Sequence, residues 1–192
     1  MEAGQLIAAL AYHATSDAEE EAALLKILKF LSLSAEPFSR ANPEGHITGS
    51  AVIGRIDGSA FLLIRHRKLE RWLQPGGHTD PEDENVLATA LREAREETGV
   101  VALSPAANGR VIDVDVHPIP ARRAEPAHLH FDLRYLATTE ETALAPQAVE
   151  TRGARWFTLE EAIAEGVEES LLRALRKAHA LLAKPGRSLP GR

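Results

Sequence analysis

Residues Asn85–Thr98 read as one amphipathic helix closed by Gly99, and its two faces restrict what the rest of the chain can build. At about 100° per residue, Leu87, Ala90, Leu91 and Ala94 form one apolar stripe that needs a partner surface. Glu93, Glu96 and Glu97 fall in a sector of about 100° beside it, at i, i+3 and i+4 spacing, so three carboxylates project into one small volume. They lie in the last two turns, where the helix dipole is negative and each acid costs about 0.3–1 kcal/mol. The repulsions Glu93–Glu97 and Glu93–Glu96 add roughly 0.2–0.5 kcal/mol each. Arg92, one turn before Glu96, offsets only part of this. A hard divalent cation is the simplest relief, because such ions take oxygen ligands and magnesium prefers octahedral oxygen coordination. Three acids alone more often mark a solvated helix face. The preceding turn, Gln74-Pro75-Gly76-Gly77, argues against that reading. Pro75 presets a turn, the two glycines permit positive φ and close backbone approach, and a carbonyl there can complete a metal shell.

Around this helix the chain alternates between helical and strand texture. Leu6, Ile7, Leu10 and Ala11 give helical spacing, as do Ala22, Leu24, Leu25, Leu28 and Leu31–Leu33. Ser16-Asp17-Ala18-Glu19 has capping-box spacing between them. Ile47–Ile53 and Ala60–Arg65 read as a hairpin turning at Asp57-Gly58, and Val111–Val116 and His128–Leu136 as further strands. Thr158-Leu159-Glu160-Glu161 opens another capped helix, and Ser170–Leu182 is the last amphipathic one. Strands interrupted by one central helix and flanked by others indicate an α/β sandwich rather than a doubly wound sheet. The predicted organisation is an N-terminal helical extension over 1–35, a main domain over 36–183 and a flexible tail over 184–192.

Composition removes several function classes. The chain contains no cysteine, which excludes disulfides, thiolate metal sites and a cysteine nucleophile. Asp and Glu number 28 against 22 Lys and Arg, a net charge of −6, so the surface repels nucleic-acid backbones. No apolar run reaches membrane-spanning length. The first residues lack the basic region of a secretory signal, so a cytoplasmic protein with neither membrane nor nucleic-acid partners is expected.

Gly77 to Val100 resembles the Nudix box, GX5EX7REUXEEXGU, of the Nudix (MutT-like) hydrolases. Arg92, Glu93, Ala94, Arg95, Glu96, Glu97, Thr98, Gly99 and Val100 match its second half without exception. In the first half, the position six after Gly77 holds Asp83, while Glu84 has the correct spacing to Arg92. One residue is therefore inserted between His78 and Glu84, and the loop carboxylate is Glu82, Asp83 or Glu84, with Glu84 taken for the box. The resemblance implies a Nudix-type α/β/α sandwich with a mixed β-sheet. It also implies Mg2+- or Mn2+-dependent cleavage of the pyrophosphate in a nucleoside diphosphate linked to another moiety. Glu93, Glu96 and Glu97 would hold metal with the Gly76 carbonyl, and Arg92 would orient the carboxylates. Catalytic roles would fall to Glu93, Glu97 and Arg92. The base would be Glu93 or one of Glu140, Glu141 and Glu150 in the loop Thr138–Thr151. The alternative is a catalytically silent nucleotide-sensing module, against which the retained acids argue. The isomerase branch of the fold needs a cysteine that is absent here.

Other residues divide between roles. His78 can contact a phosphate or be plain loop, and Trp72 can pack in the core or stack on a base. His128, His130 and Asp132 share one strand face, suited to a transition metal or to lining a substrate cleft or a polar sheet face. Because the sequence offers no matching ligand pair beside them, the cleft or polar face is preferred. The N-terminal helices, outside the resemblance, can cover the sheet, bind substrate or form a homodimer.

Overall fold

A computed structural model describes residues 1–67, 69–121, 126–142, 144–145 and 151–183. The expected tail, 184–192, lies outside the described residues, as does Glu150. An eight-stranded mixed sheet is built on two long strands, β1 (Gly45–Arg55) and β7 (His128–Thr139), which run parallel from Gly45 opposite Leu129 to Arg55 opposite Thr139. The free edge of β1 pairs first with β4 (Gly76–His78) and then with β2 (Phe61–His66), both antiparallel. β2 carries β3 (Trp72–Leu73) and β8 (Thr151–Phe157). The other edge of β7 pairs with β6 (Val111–Ile119) and with β5 (Ser104–Pro105).

Strand alternation divides the core between the two faces of this sheet. Ile47, Ala51 and Ile53 of β1 join Phe131, Leu133, Tyr135 and Ala137 of β7 under α1 (Ala3–Leu10), α2 (Ala18–Leu33) and α3 (Val86–Thr98). Val52 and Leu136 point the other way, into the cluster built by α4 (Leu159–Ala164) and α5 (Glu169–Leu182). Both faces are covered by helices, as the sandwich expectation requires.

The first two helices belong to this core. Leu6, Leu10, Ile27 and Leu31 are buried in it, and Phe30 stacks on Phe131 with ring centroids 4.1 Å apart. The cap of α2 differs from the expected Ser16–Glu19 box: Asp17 is the N-cap and accepts the Glu20 N–H at 2.9 Å. The reciprocal half of such a box fails because the Glu20 carboxylate turns inward, to His13, Thr15 and Lys177. The Thr158–Glu161 box is present in full.

Candidate active site

Helix α3 begins where the sequence indicates. Asn85 caps it by accepting the Ala88 N–H at 3.0 Å, and Gly99 ends it in the left-handed conformation, φ 73°. Ala90 and Ala94 are fully buried against the sheet, which brings the acid-bearing side of the helix over the short strand β4.

The contact between α3 and β4 is the centre of the site. Glu97, only 7% exposed, accepts the backbone N–H of Gly76 at 2.9 Å. A Cβ at Gly77 would lie 2.6 Å from Glu93 Cδ, and one at Gly76 would lie 2.2 Å from Ser50 Oγ. Neither glycine has positive φ, so the expected turn conformation is absent and Gly76–Gly77 is strand. What both positions require is the lack of a side chain, because carboxylate and strand approach within contact distance.

Arg92 gathers the carboxylates. Its Nε and Nη2 donate to the two Asp83 oxygens at 3.0 and 2.9 Å, a bidentate pair. Its Nη2 also donates to the His78 carbonyl at 2.9 Å, and Nη1 to Glu93 at 2.9 Å and Glu96 at 3.5 Å. Asp80 stands 3.4 Å away. The hydrogen bond to Asp83, outweighing burial, raises the Arg92 pKa above its ordinary value. Burial alone would raise the Asp83 pKa, but hydrogen bonds from Arg92, the Asp80 amide and Thr89 hold it below the usual range.

Of the three loop acids, Asp83 is the one that the structure brings to Arg92. Asp83 reaches Arg92, Thr89 at 2.8 Å and the Asp80 N–H at 3.0 Å, whereas Glu84 and Glu82 are exposed. The inserted residue is absorbed in the loop ahead of Asn85. Of the other base candidates, Glu141 accepts the Val101 and Ala102 N–H groups at 3.0 and 2.8 Å, and Glu140 is exposed.

Two flanking positions differ in character. Trp72 packs edge-on against Phe157, ring centroids 4.8 Å apart, with the Arg65 and Arg155 guanidinium groups over its ring at 5.7 and 5.5 Å. His78 ends β4, its Nδ1 2.8 Å from Arg40 Nη2. Burial first, then the nearby Arg40 and histidines, lowers the His78 pKa to about 3, so the ring is neutral. The strand face of His128, His130 and Asp132 seen in the sequence continues onto β1. Asp132 accepts from Thr48 at 3.0 Å, Ser50 at 2.8 Å, Gln74 at 3.2 Å and Arg134 at 3.3 Å. The β1 members of this face, Thr48 and Ser50, are what the sequence reading missed, and their strand alternation was the signal for them.

The model of the NUDIX domain matches residues 45–178, which include every residue of this constellation except Arg40. The chain belongs to the NUDIX family. A probable DHNTP pyrophosphohydrolase of Lactococcus lactis subsp. cremoris is 35% identical over 127 residues, 65% of this chain and 73% of that protein. An asymmetrical bis(5'-nucleosyl)-tetraphosphatase of Mus musculus is 48% identical over 54 residues, covering 27% of this chain and 36% of the mouse protein. Among solved structures, a NUDIX-family hydrolase from Clostridium perfringens superposes with a TM-score of 0.54 at 24% identity, over 72% of this chain and 99% of that one, which shows a shared fold. Helices α1 and α2 lie outside the NUDIX match.

Proposed function

We propose that this NUDIX protein is a Mg2+- or Mn2+-dependent pyrophosphohydrolase acting on a nucleoside diphosphate, or a related triphosphate, joined to another moiety. The observation that carries this reading is the packing of Glu93 and Glu97 against the glycine strand, with Glu96 joined to them through Arg92, which is shared among four carboxylates. An all-oxygen donor set of this kind fits a hard cation, and Glu93, Glu96, Glu97 and the Gly76 carbonyl would hold it. Such an ion supplies neutralisation of phosphate charge and acidification of water. The chain's own residues do the rest. Arg92 fixes the rotamers of Glu93 and Glu96 and ties them to the loop through Asp83. Glu97, anchored on the Gly76 N–H, keeps α3 and β4 in register. Glu93 accepts the proton of the attacking water as its oxygen bonds to phosphorus and the bridging P–O bond breaks. Glu141 is a poorer candidate for this step because two amides already occupy its oxygens.

Substrate choice is tested with a panel that includes dihydroneopterin triphosphate, diadenosine tetraphosphate and ADP-ribose, each with Mg2+ and Mn2+, with products separated by chromatography. Metal-dependent release of pyrophosphate or of a mononucleotide supports hydrolysis. Tight binding of one of these compounds without any product favours the nucleotide-sensing alternative instead.

A further inference from the structure

Five of the chain's eight histidines, His46, His78, His117, His128 and His130, come together on one face of the sheet, although no two are closer than two residues in sequence. Strand register produces this. His46 on β1 stands opposite His130 on β7, and His130 stands opposite His117 on β6. His78 on β4 pairs with Thr48, two residues along β1 from His46 and therefore on the same face. Gly49, with the opposite parity, faces the Val86 end of α3, so the histidines lie on the side of the sheet away from that helix.

We propose that His46, His78 and His130 form a binding site for one divalent transition-metal ion of the zinc class, separate from the α3 carboxylates. One ring nitrogen from each lies within 4.8 Å of the others. Tetrahedral zinc with bonds of about 2.0–2.1 Å sets its nitrogen ligands about 3.3–3.4 Å apart, so modest ring rotation closes the site. The centroids of His46 are 4.8 Å from those of both His78 and His130, and His78 and His130 are 5.0 Å apart. Three imidazoles select zinc, nickel, iron or copper over magnesium, because nitrogen ligands suit the softer ions. The Nε2 of His130 is buried without a hydrogen bond among the described residues, which costs free energy that a bound ion would recover.

The surroundings suit ligation rather than anion binding. Arg40 holds the His78 Nδ1 through an exposed contact, which an entering ion can displace. His117 is oriented by Asp115, 3.1 Å from its Nδ1, a carboxylate–histidine arrangement that leaves Nε2 for a further ligand position. Three protein ligands with a remaining position available describe an open site, able to take water or a substrate atom.

The test uses untagged, metal-stripped full-length protein titrated with Co2+ in excess Mg2+, followed by visible absorption. The expected result is one nitrogen-coordinated Co2+ per chain, displaced by Zn2+. His130→Asn and His78→Asn should each weaken binding on the order of tenfold or more. Glu97→Gln, at the carboxylate site, should leave the Co2+ spectrum unchanged. Circular dichroism and stabilisation by Mg2+ check that the histidine variants fold. Ring-nitrogen NMR of the wild type gives an independent reading, in which Zn2+ should shift three histidines together. An absent Co2+ spectrum with no histidine shifts overturns the proposal. So does a spectrum that survives both histidine substitutions but is lost in Glu97→Gln. Neither result bears on pyrophosphate hydrolysis, which is read separately with Mg2+.

Discussion

Two acid-rich regions of the molecule are built on opposite principles of charge balance. Beneath α2 and α5, Asp113 is fully buried, yet it receives Arg173 at 2.8 and 3.1 Å, Arg134 at 3.0 Å and Lys177 at 3.2 Å. Glu20, equally buried, meets His13 at 2.8 Å and also contacts Lys177 and Thr15. Each carboxylate there is matched by cations drawn from distant parts of the chain. At α3 the ratio is reversed among the described residues, with Arg92 shared by Asp80, Asp83, Glu93 and Glu96. The matched cluster fastens the N-terminal helices to the sheet. In the α3 cluster four acids share one arginine, the arrangement that the proposed cation site would use. Charge matched by buried cations serves the fold, while acids gathered on a shared arginine mark a candidate ligand site.

Substitutions in the two regions should therefore separate activity from stability. The largest expected effect is on turnover: Glu93→Gln should lower kcat by roughly 10²–10⁴-fold, the range for loss of a general base, with little change in unfolding temperature. Steady-state kinetics beside a thermal melt reads both. Near-normal turnover would remove Glu93 from the role given to it.

Asp113→Asn should show the reverse pattern. It removes the carboxylate that Arg134 and Arg173 share, leaving Arg134 with Asp115 and Asp132 and Arg173 with Asp17 and Glu20, a loss of at most about 3–5 kcal/mol in urea unfolding, with kcat of the folded fraction retained. If this variant lost activity without losing stability, the division between the two regions would be wrong.

Acid should weaken the matched cluster first. Burial would raise the Glu20 pKa, but hydrogen bonds from His13, Lys177 and Thr15 outweigh it and hold it down to about 2, against an ordinary 4.5. A carboxylate lowered in the folded state contributes stability that is complete above about 4.5 and lost as pH falls towards about 2. Chemical unfolding measured across this window should give a shallower pH slope for Glu20→Gln than for the wild type. An unchanged slope would show that Glu20 does not carry the acid sensitivity.

The smallest effect expected is stabilisation by metal. At about ten times its Kd, Mg2+ should add roughly 1.4 kcal/mol, or roughly 3–6 °C in Tm. Glu97→Gln should reduce this shift and Asp113→Asn should preserve it. An equal shift in both variants would mean that the excess charge at α3 is not what binds the ion.

The sequence was most legible where chemistry and local structure coincide. The cap Asn85, the stop Gly99 and the acids of α3 lie within one helix, so periodicity and spacing placed them correctly. Prediction weakened as soon as a contact crossed between segments. Counting back from Arg92 favours Glu84, but the loop folds so that Asp83 turns inward, because a bend absorbs the extra residue. The glycines at 76 and 77 read as a turn, whereas they serve close packing of a strand against Glu93 and Ser50. Ser16 looked like the cap of α2, but Asp17 holds that place while the next acid of the pattern is drawn into the core. The histidines were the least legible. His128 and His130 were visible as a strand pair, but their neighbours His46 and His78 are far away in the chain.

By itself, the sequence determined the sandwich class, the capped helix and its surplus of negative charge, because these depend on periodicities of a few residues. Only the tertiary structure decided which loop acid holds Arg92, which cations neutralise Glu20 and Asp113, and which histidines meet. The physical reason is that register between strands, and the packing of helices on them, depends on long-range burial summed over the whole core. No local pattern carries that sum.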